Sequence, residues 1–241
     1  SIGRYGADKE NLRLLSVIFG ISTLARVFGG DGGDKPVNPT NFSGKDLVNA
    51  FEHLNVNVKV IGEPQDMSEI THLVLPGVGA FENGMNSLKN KNLTDLILDH
   101  AEKDLPFLGI CLGMQIMLSE SYEFGSHLGL NIIDGKIRKI PNTNTDGVRH
   151  KIPHIGWNAI NISSNNFLKK SIVNDAVDNQ AMYFVHSYMA HTDEKNILAT
   201  CNYNNIIIPS IISSNNIFGC QFHPEKSGEK GLSILMNFIN L

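Results

Sequence analysis

From residue 46 onward, stretches whose apolar residues recur at helical spacing alternate with short apolar runs bounded by turn formers. Residues 46–54 read as a helix, 56–61 as a strand, and 72–75 as a short buried strand ending in Pro76-Gly77. A long helical region is predicted over 83–103, then an apolar strand at 106–110 and a helix at 112–120. Beyond it, 131–140, 157–162, 182–188, 197–203, 206–213 and 217–222 read as strands separated by polar turns. Leu232, Leu235, Met236 and Ile239 repeat at i, i+3, i+4 and i+7, so the last element is expected to be a helix covering one face of a sheet. This order predicts an α/β fold whose second half is rich in strands.

The first 41 residues follow a different pattern. Residues 14–21 suggest a strand, whereas 29–41, GGDGGDKPVNPTN, has the composition of a flexible linker or long loop. The expected organisation is an N-terminal segment, 1–41, followed by one domain, 42–241. Asn-rich patches at 142–144, 165–166, 204–205 and 215–216 lie between apolar runs and are expected to be turns.

Composition narrows the partners. A net charge of -4 and a pI near 6.1 supply no basic footprint for nucleic acid or an anionic membrane, so small-molecule chemistry is favoured. Cys111, Cys201 and Cys220 are odd in number and show no CxxC spacing, which argues against a disulfide framework and against a zinc site. The apolar stretch 14–25 is too short to span a bilayer, and acidic Asp8 and Glu10 with no A-x-A site make it a poor signal peptide. A cytoplasmic protein is expected.

Gly109-Ile110-Cys111-Leu112-Gly113 places a G-x-C-x-G between a buried strand and a helix, the cysteine counterpart of the nucleophile elbow. Such a turn strains the backbone at the nucleophile and leaves no room for side chains at 109 and 113. It also puts the sulfur at a helix N-terminus, where free amides and the dipole favour thiolate. A thiolate needs a base to carry its proton to the leaving group. In Gln221-Phe222-His223-Pro224-Glu225, residues two apart in an extended chain share a side, which sets the Glu225 carboxylate beside the His223 imidazole as the third member of a triad. The amide of Leu112 would supply one oxyanion donor. Gly77, Val78 and Gly79 would either supply a second or form an ordinary strand-ending turn.

Taken together, LVLPGVGAF (73–81), FLGICLGMQ (107–115), PHIGWN (153–158), YFVHSY (183–188) and GCQFHPEKSG (219–228) resemble the class I glutamine amidotransferases. Within that family they are similar to the glutaminase subunit of imidazole glycerol phosphate synthase. The resemblance covers about residues 47–241 and implies a flavodoxin-like three-layer fold with a central, mostly parallel sheet. It also implies γ-glutamyl thioester chemistry at Cys111, with His223 and Glu225 completing the triad. By the same likeness, Gln115 and the backbone of Ser187 and Tyr188 hold glutamine, and His186 is a structural or gating residue rather than the base. His154, Trp157, Asn158 and Lys226 match segments facing a TIM-barrel synthase subunit that receives ammonia through its core; no cofactor is implied. Trp157, the only tryptophan, lies in a Gly-rich, loop-like segment and reads as an interface anchor. Family members begin with a strand running into a Y-G-x-G-N-L type turn. Tyr5-Gly6-Ala7 with Asn11-Leu12-Arg13 is an interrupted echo of it, and residues 42–47 a degenerate one. Competing readings are a glutaminase feeding a surface-polysaccharide sugar amidotransferase, a non-catalytic scaffold, and a stand-alone γ-glutamyl hydrolase.

Overall fold

The computed structural model describes residues 14–18, 44–64, 70–163 and 171–241. The predicted linker at 29–41 and the interrupted turn at 5–13 lie outside the described residues. The backbone of β1 (Leu14–Ile18) is inserted between β2 (Asn57–Ile61) and β3 (His72–Gly77), parallel to both. Of the strand suggested at 14–21, residues 14–18 therefore join the main sheet, a placement that periodicity alone left open, and 19–21 lie outside the described residues.

Strands β4 (Phe107–Cys111), β8 (His154–Ile162), β9 (Ala181–His186), β11 (Ile197–Tyr203), β12 (Ile206–Ser214) and β13 (Ile217–Cys220) complete a nine-stranded sheet, ordered β2-β1-β3-β4-β13-β12-β11-β8-β9. From β2 to β13 the pairings are parallel; from β13 to β9 they are antiparallel. The parallel half has the strand order of a doubly wound flavodoxin-like sheet. The antiparallel half returns through tight turns whose Asn residues accept the left-handed backbone that such turns need: Asn204 and Asn205 at φ 51° and 65°, and Asn215 at φ 51°. A second sheet has the order β10 (Tyr188–His191), β7 (Lys136–Lys139), β5 (Glu120–Ser121) and β6 (His127–Leu128).

Strand alternation divides the core between the two faces of the sheet. Val74, Leu108 and Phe218 pack with Leu47 and Phe51 of α1 (Gly44–His53) and with Leu235 and Phe238 of α5 (Gly228–Ile239). On the other face, Leu73, Leu75 and Phe107 meet Met85 and Leu88 of α2 (Phe81–Asn90) and Ile97 of α3 (Thr94–Glu102). This gives the three layers expected.

Several boundaries differ from the sequence reading. The helix predicted over 83–103 is two helices, because Asn92 adopts φ 54° and ends the first. The helix predicted over 112–120 stops at Ile116 as α4 (Leu112–Ile116): the carbonyls of Ile116, Met117 and Leu118 accept the amides of Leu130, Ile132 and Asn131 instead of helical ones. The strand at 131–140 shortens to β7. The strand at 182–188 splits at Ser187, with β9 and β10 entering different sheets. The buried stripe of α5 runs through Gly231, Ile234, Leu235, Phe238 and Ile239, so Leu232 and Met236 lie at its margin.

Candidate active site

Three neighbouring parallel strands end together. Gly77 closes β3 opposite Cys111, the last residue of β4, and Cys220, the last of β13, stands opposite Ile110. The crevice beyond the carboxyl ends of such strands is where doubly wound sheets place their sites. Cys111 sits there at φ 54° and ψ -108°, a backbone conformation that costs a non-glycine residue about 1–3 kcal/mol. The flanking glycines are required by contact. A Cβ on Gly113 would fall on the Leu75 carbonyl oxygen, and one on Gly109 would lie 2.7 Å from the Met114 nitrogen. Because α4 has only five residues, its contribution is a set of free amides rather than a long dipole.

His223 follows β13 by three residues in extended conformation and is buried. Its Nδ1 lies 2.8 Å from Glu225 Oε1, so the expected pair forms. The route to it differs from the one expected: Glu225 reaches back from a 3-10 turn, Pro224–Lys226, rather than along a strand. Ser227 fixes this turn, its Oγ donating to the His223 carbonyl at 2.6 Å and accepting from the Tyr183 amide at 3.0 Å. Burial alone would pull His223 down, but the Glu225 carboxylate and the Cys111 sulfur outweigh it and push the imidazole up to about 10. A protonated imidazole beside the sulfur is the arrangement that favours thiolate. Cys201 and Cys220 are free, buried, and pushed upward by burial, the latter to beyond the usual thiol range.

Gln115 is buried on α4, and its Nε2 donates to the Tyr188 carbonyl at 3.2 Å and to Gln221 Oε1 at 3.0 Å. Gln221 is fully buried with Nε2 3.8 Å from Cys111 Sγ. Sequence reasoning missed it, although it precedes His223 by two residues, the spacing applied to Glu225. Of the Ser187 and Tyr188 backbone expected to hold glutamine, the carbonyls have partners within the chain: Ser187 O accepts the Ile140 amide at 2.9 Å, and Tyr188 O accepts from Gln115 as above. The 77–79 loop is half-buried beside Cys111, with Gly79 at φ 119°. Glu123, also missed, touches the end of this loop: its Oε2 accepts the Phe81 amide at 2.7 Å, and its charge raises the Tyr188 phenol after burial does.

The residues expected to face a partner divide. Trp157 is 56% exposed, in β8 rather than in a loop, with its ring edge-on to Tyr183 at 5.8 Å. His154, in contrast, is 2% exposed and cannot present its ring at the surface. Asn158 donates to the Asn202 carbonyl at 2.8 Å. Lys226 pairs with Asp46 of α1 at 2.6 Å, so its charge links the 3-10 turn that carries Glu225 to α1.

The family model for glutamine amidotransferase class-I matches residues 42–241. The chain is 44% identical over 197 residues to imidazole glycerol phosphate synthase subunit HisH 1 of Legionella pneumophila (strain Lens), covering 81% of this chain and 92% of that protein. Identity to subunit HisH of Lactococcus lactis subsp. lactis (strain IL1403) is 40% over 190 residues, covering 79% and 89%. The structure of PurLQS from Thermotoga maritima superposes with a TM-score of 0.62 at 15% identity, covering 95% of this chain and 99% of that one, a likeness of fold.

Proposed function

Since the chain belongs to the class I glutamine amidotransferase family, we propose that it is the glutaminase subunit of an imidazole glycerol phosphate synthase, acting in histidine biosynthesis. The observation that carries this reading is the meeting of a strained Cys111 with the His223–Glu225 pair at the ends of β4 and β13. The thiolate attacks the side-chain carboxamide carbon of glutamine, and the amides of Leu112 and of the 77–79 loop receive the oxyanion. His223 gives its proton to the departing nitrogen, the C–N bond breaks, and ammonia leaves a γ-glutamyl thioester. With that proton gone, neutral His223 takes one from water, whose oxygen attacks the thioester; glutamate departs and the thiolate returns. Glu225 holds the imidazole tautomer throughout. Gln115 and the strand break at Ser187 and Tyr188 line the glutamine side of this site, and Glu123 has the sign to meet an α-ammonium group.

Ammonia released to water is protonated and lost as a nucleophile, so hydrolysis is expected to wait for an acceptor. The acceptor in this reading is a TIM-barrel cyclase subunit docked on the surface that carries Trp157. The test is copurification from the native host, with glutamate release measured with and without the bound protein. A barrel cyclase that switches on hydrolysis is the expected result; a sugar amidotransferase in its place, or full activity of the lone chain, refutes the assignment.

A further inference from the structure

Two histidines outside the triad are buried against each other. His154 on β8 and His186 on β9 stand directly opposite in the ladder, with His154 Nδ1 3.0 Å from His186 Nε2. The other nitrogen of His186, Nδ1, lies 2.8 Å from the Tyr188 carbonyl. A carbonyl can only accept, so His186 carries its proton on Nδ1. Neutral His186 then has a bare Nε2, which obliges His154 to carry its own proton on Nδ1. One carbonyl thereby fixes two tautomers. The His154 ring is clamped between Phe184, stacked at 4.7 Å, and Tyr203, stacked at 4.1 Å. Burial holds both imidazoles below their usual range.

The Tyr188 carbonyl that ends this chain is the one to which Gln115 donates, Gln115 also donates to Gln221, and the Gln221 amide reaches the Cys111 sulfur. We propose that the His154–His186 pair is a positioning device: it fixes the Tyr188 carbonyl, through it Gln115 and Gln221, and so sets the grip of the pocket on glutamine while leaving the thiol chemistry itself untouched. The proposal rests on the glutaminase reading. The device also begins on the strand that bears exposed Trp157, three residues from His154, so any movement of β8 reaches the pocket through defined hydrogen bonds.

The test uses His186→Leu, His186→Asn and His154→Phe, assayed with the copurified partner present. Asparagine can place its Nδ2 where His186 has Nδ1 and restore the donor to Tyr188; phenylalanine at 154 keeps the stack and removes the donor. His186→Leu is expected to raise KM for glutamine at least about tenfold, with kcat falling less than about threefold. The rate at which iodoacetamide alkylates Cys111 stays unchanged, His186→Asn recovers most of the loss, and His154→Phe falls between. A fall in kcat at constant KM, or His186→Asn behaving no better than His186→Leu, overturns the proposal and leaves the glutaminase reading standing. Wild-type protein that fails to hydrolyse glutamine with its partner bound overturns both. Where a variant does not fold, long-range proton–nitrogen NMR of the wild-type histidines decides: two Nδ1-protonated rings are expected, and Nε2 protonation of His186 refutes the device.

Discussion

Acidification should weaken the fold by an amount that the buried histidine pair sets. In the folded chain burial, reinforced by the neighbouring His154 and only partly offset by the Tyr188 carbonyl, lowers His186 to about 3, and burial lowers His154 to about 4. In the unfolded chain both sit near 6.5. The unfolded state therefore binds more protons, and stability rises with pH: the contribution is intact above 6.5 and is lost as pH falls toward the folded values. At 1.36 kcal/mol per unit, moving from pH 7 to pH 5 removes about 2 kcal/mol for His186 and up to about 2 kcal/mol more for His154. His223 works in the opposite sense. Its raised value of about 10 makes its contribution fully present below 6.5 and lost as pH rises, so over the same interval it returns less than about 1 kcal/mol. The expected net loss is a few kcal/mol, several degrees of melting temperature for a domain of this size. The assay is thermal or urea unfolding at pH 7, 6 and 5 for the wild type and for a variant lacking both histidines. Whatever its absolute stability, that variant should lose about 2–4 kcal/mol less than wild type between pH 7 and pH 5. Equal losses in the two proteins refute the claim that the pair is neutral and buried.

Three other outcomes are expected. Cys111→Ser should cut glutamine hydrolysis by at least about 10³-fold and leave ammonium-dependent synthesis by the assembled enzyme intact, which paired assays on glutamine and ammonium salts would establish. Cys111→Gly should unfold at higher temperature than Cys111→Ala, by an increment worth about 1 kcal/mol, since only glycine relieves the backbone at φ 54° and ψ -108°. Trp157→Ala should weaken partner binding by about 2 kcal/mol in a titration while moving the melting temperature little, because the ring is 56% exposed.

The elbow at Cys111 and the His223–Glu225 pair were legible because each is written locally: two glycines around a cysteine, and a carboxylate two residues from a histidine. The strands of the antiparallel half were legible for a similar reason, as β-branched runs closed by Asn pairs at 204–205 and 215–216. What periodicity could not supply was anything decided at a distance. Helix α4 ends where 130–132 claims its carbonyls, and the 182–188 run divides because its halves join different sheets. The His154–His186 pair gains meaning only once β8 and β9 are side by side, and Gln221 only once the end of β13 meets α4 and Cys111. Lys226, expected from the resemblance to face a partner, also meets Asp46 within the chain, a pairing across 180 residues that the sequence did not announce.

The central claim, that Cys111 is the nucleophile of a glutamine site, is tested most directly by a glutamine-shaped diazoketone and peptide mapping by mass spectrometry. A single adduct on Cys111, suppressed by excess glutamine and absent from buried Cys201 and Cys220, is the predicted result. Labelling of Cys201 or Cys220, or labelling of Cys111 that glutamine does not suppress, contradicts it.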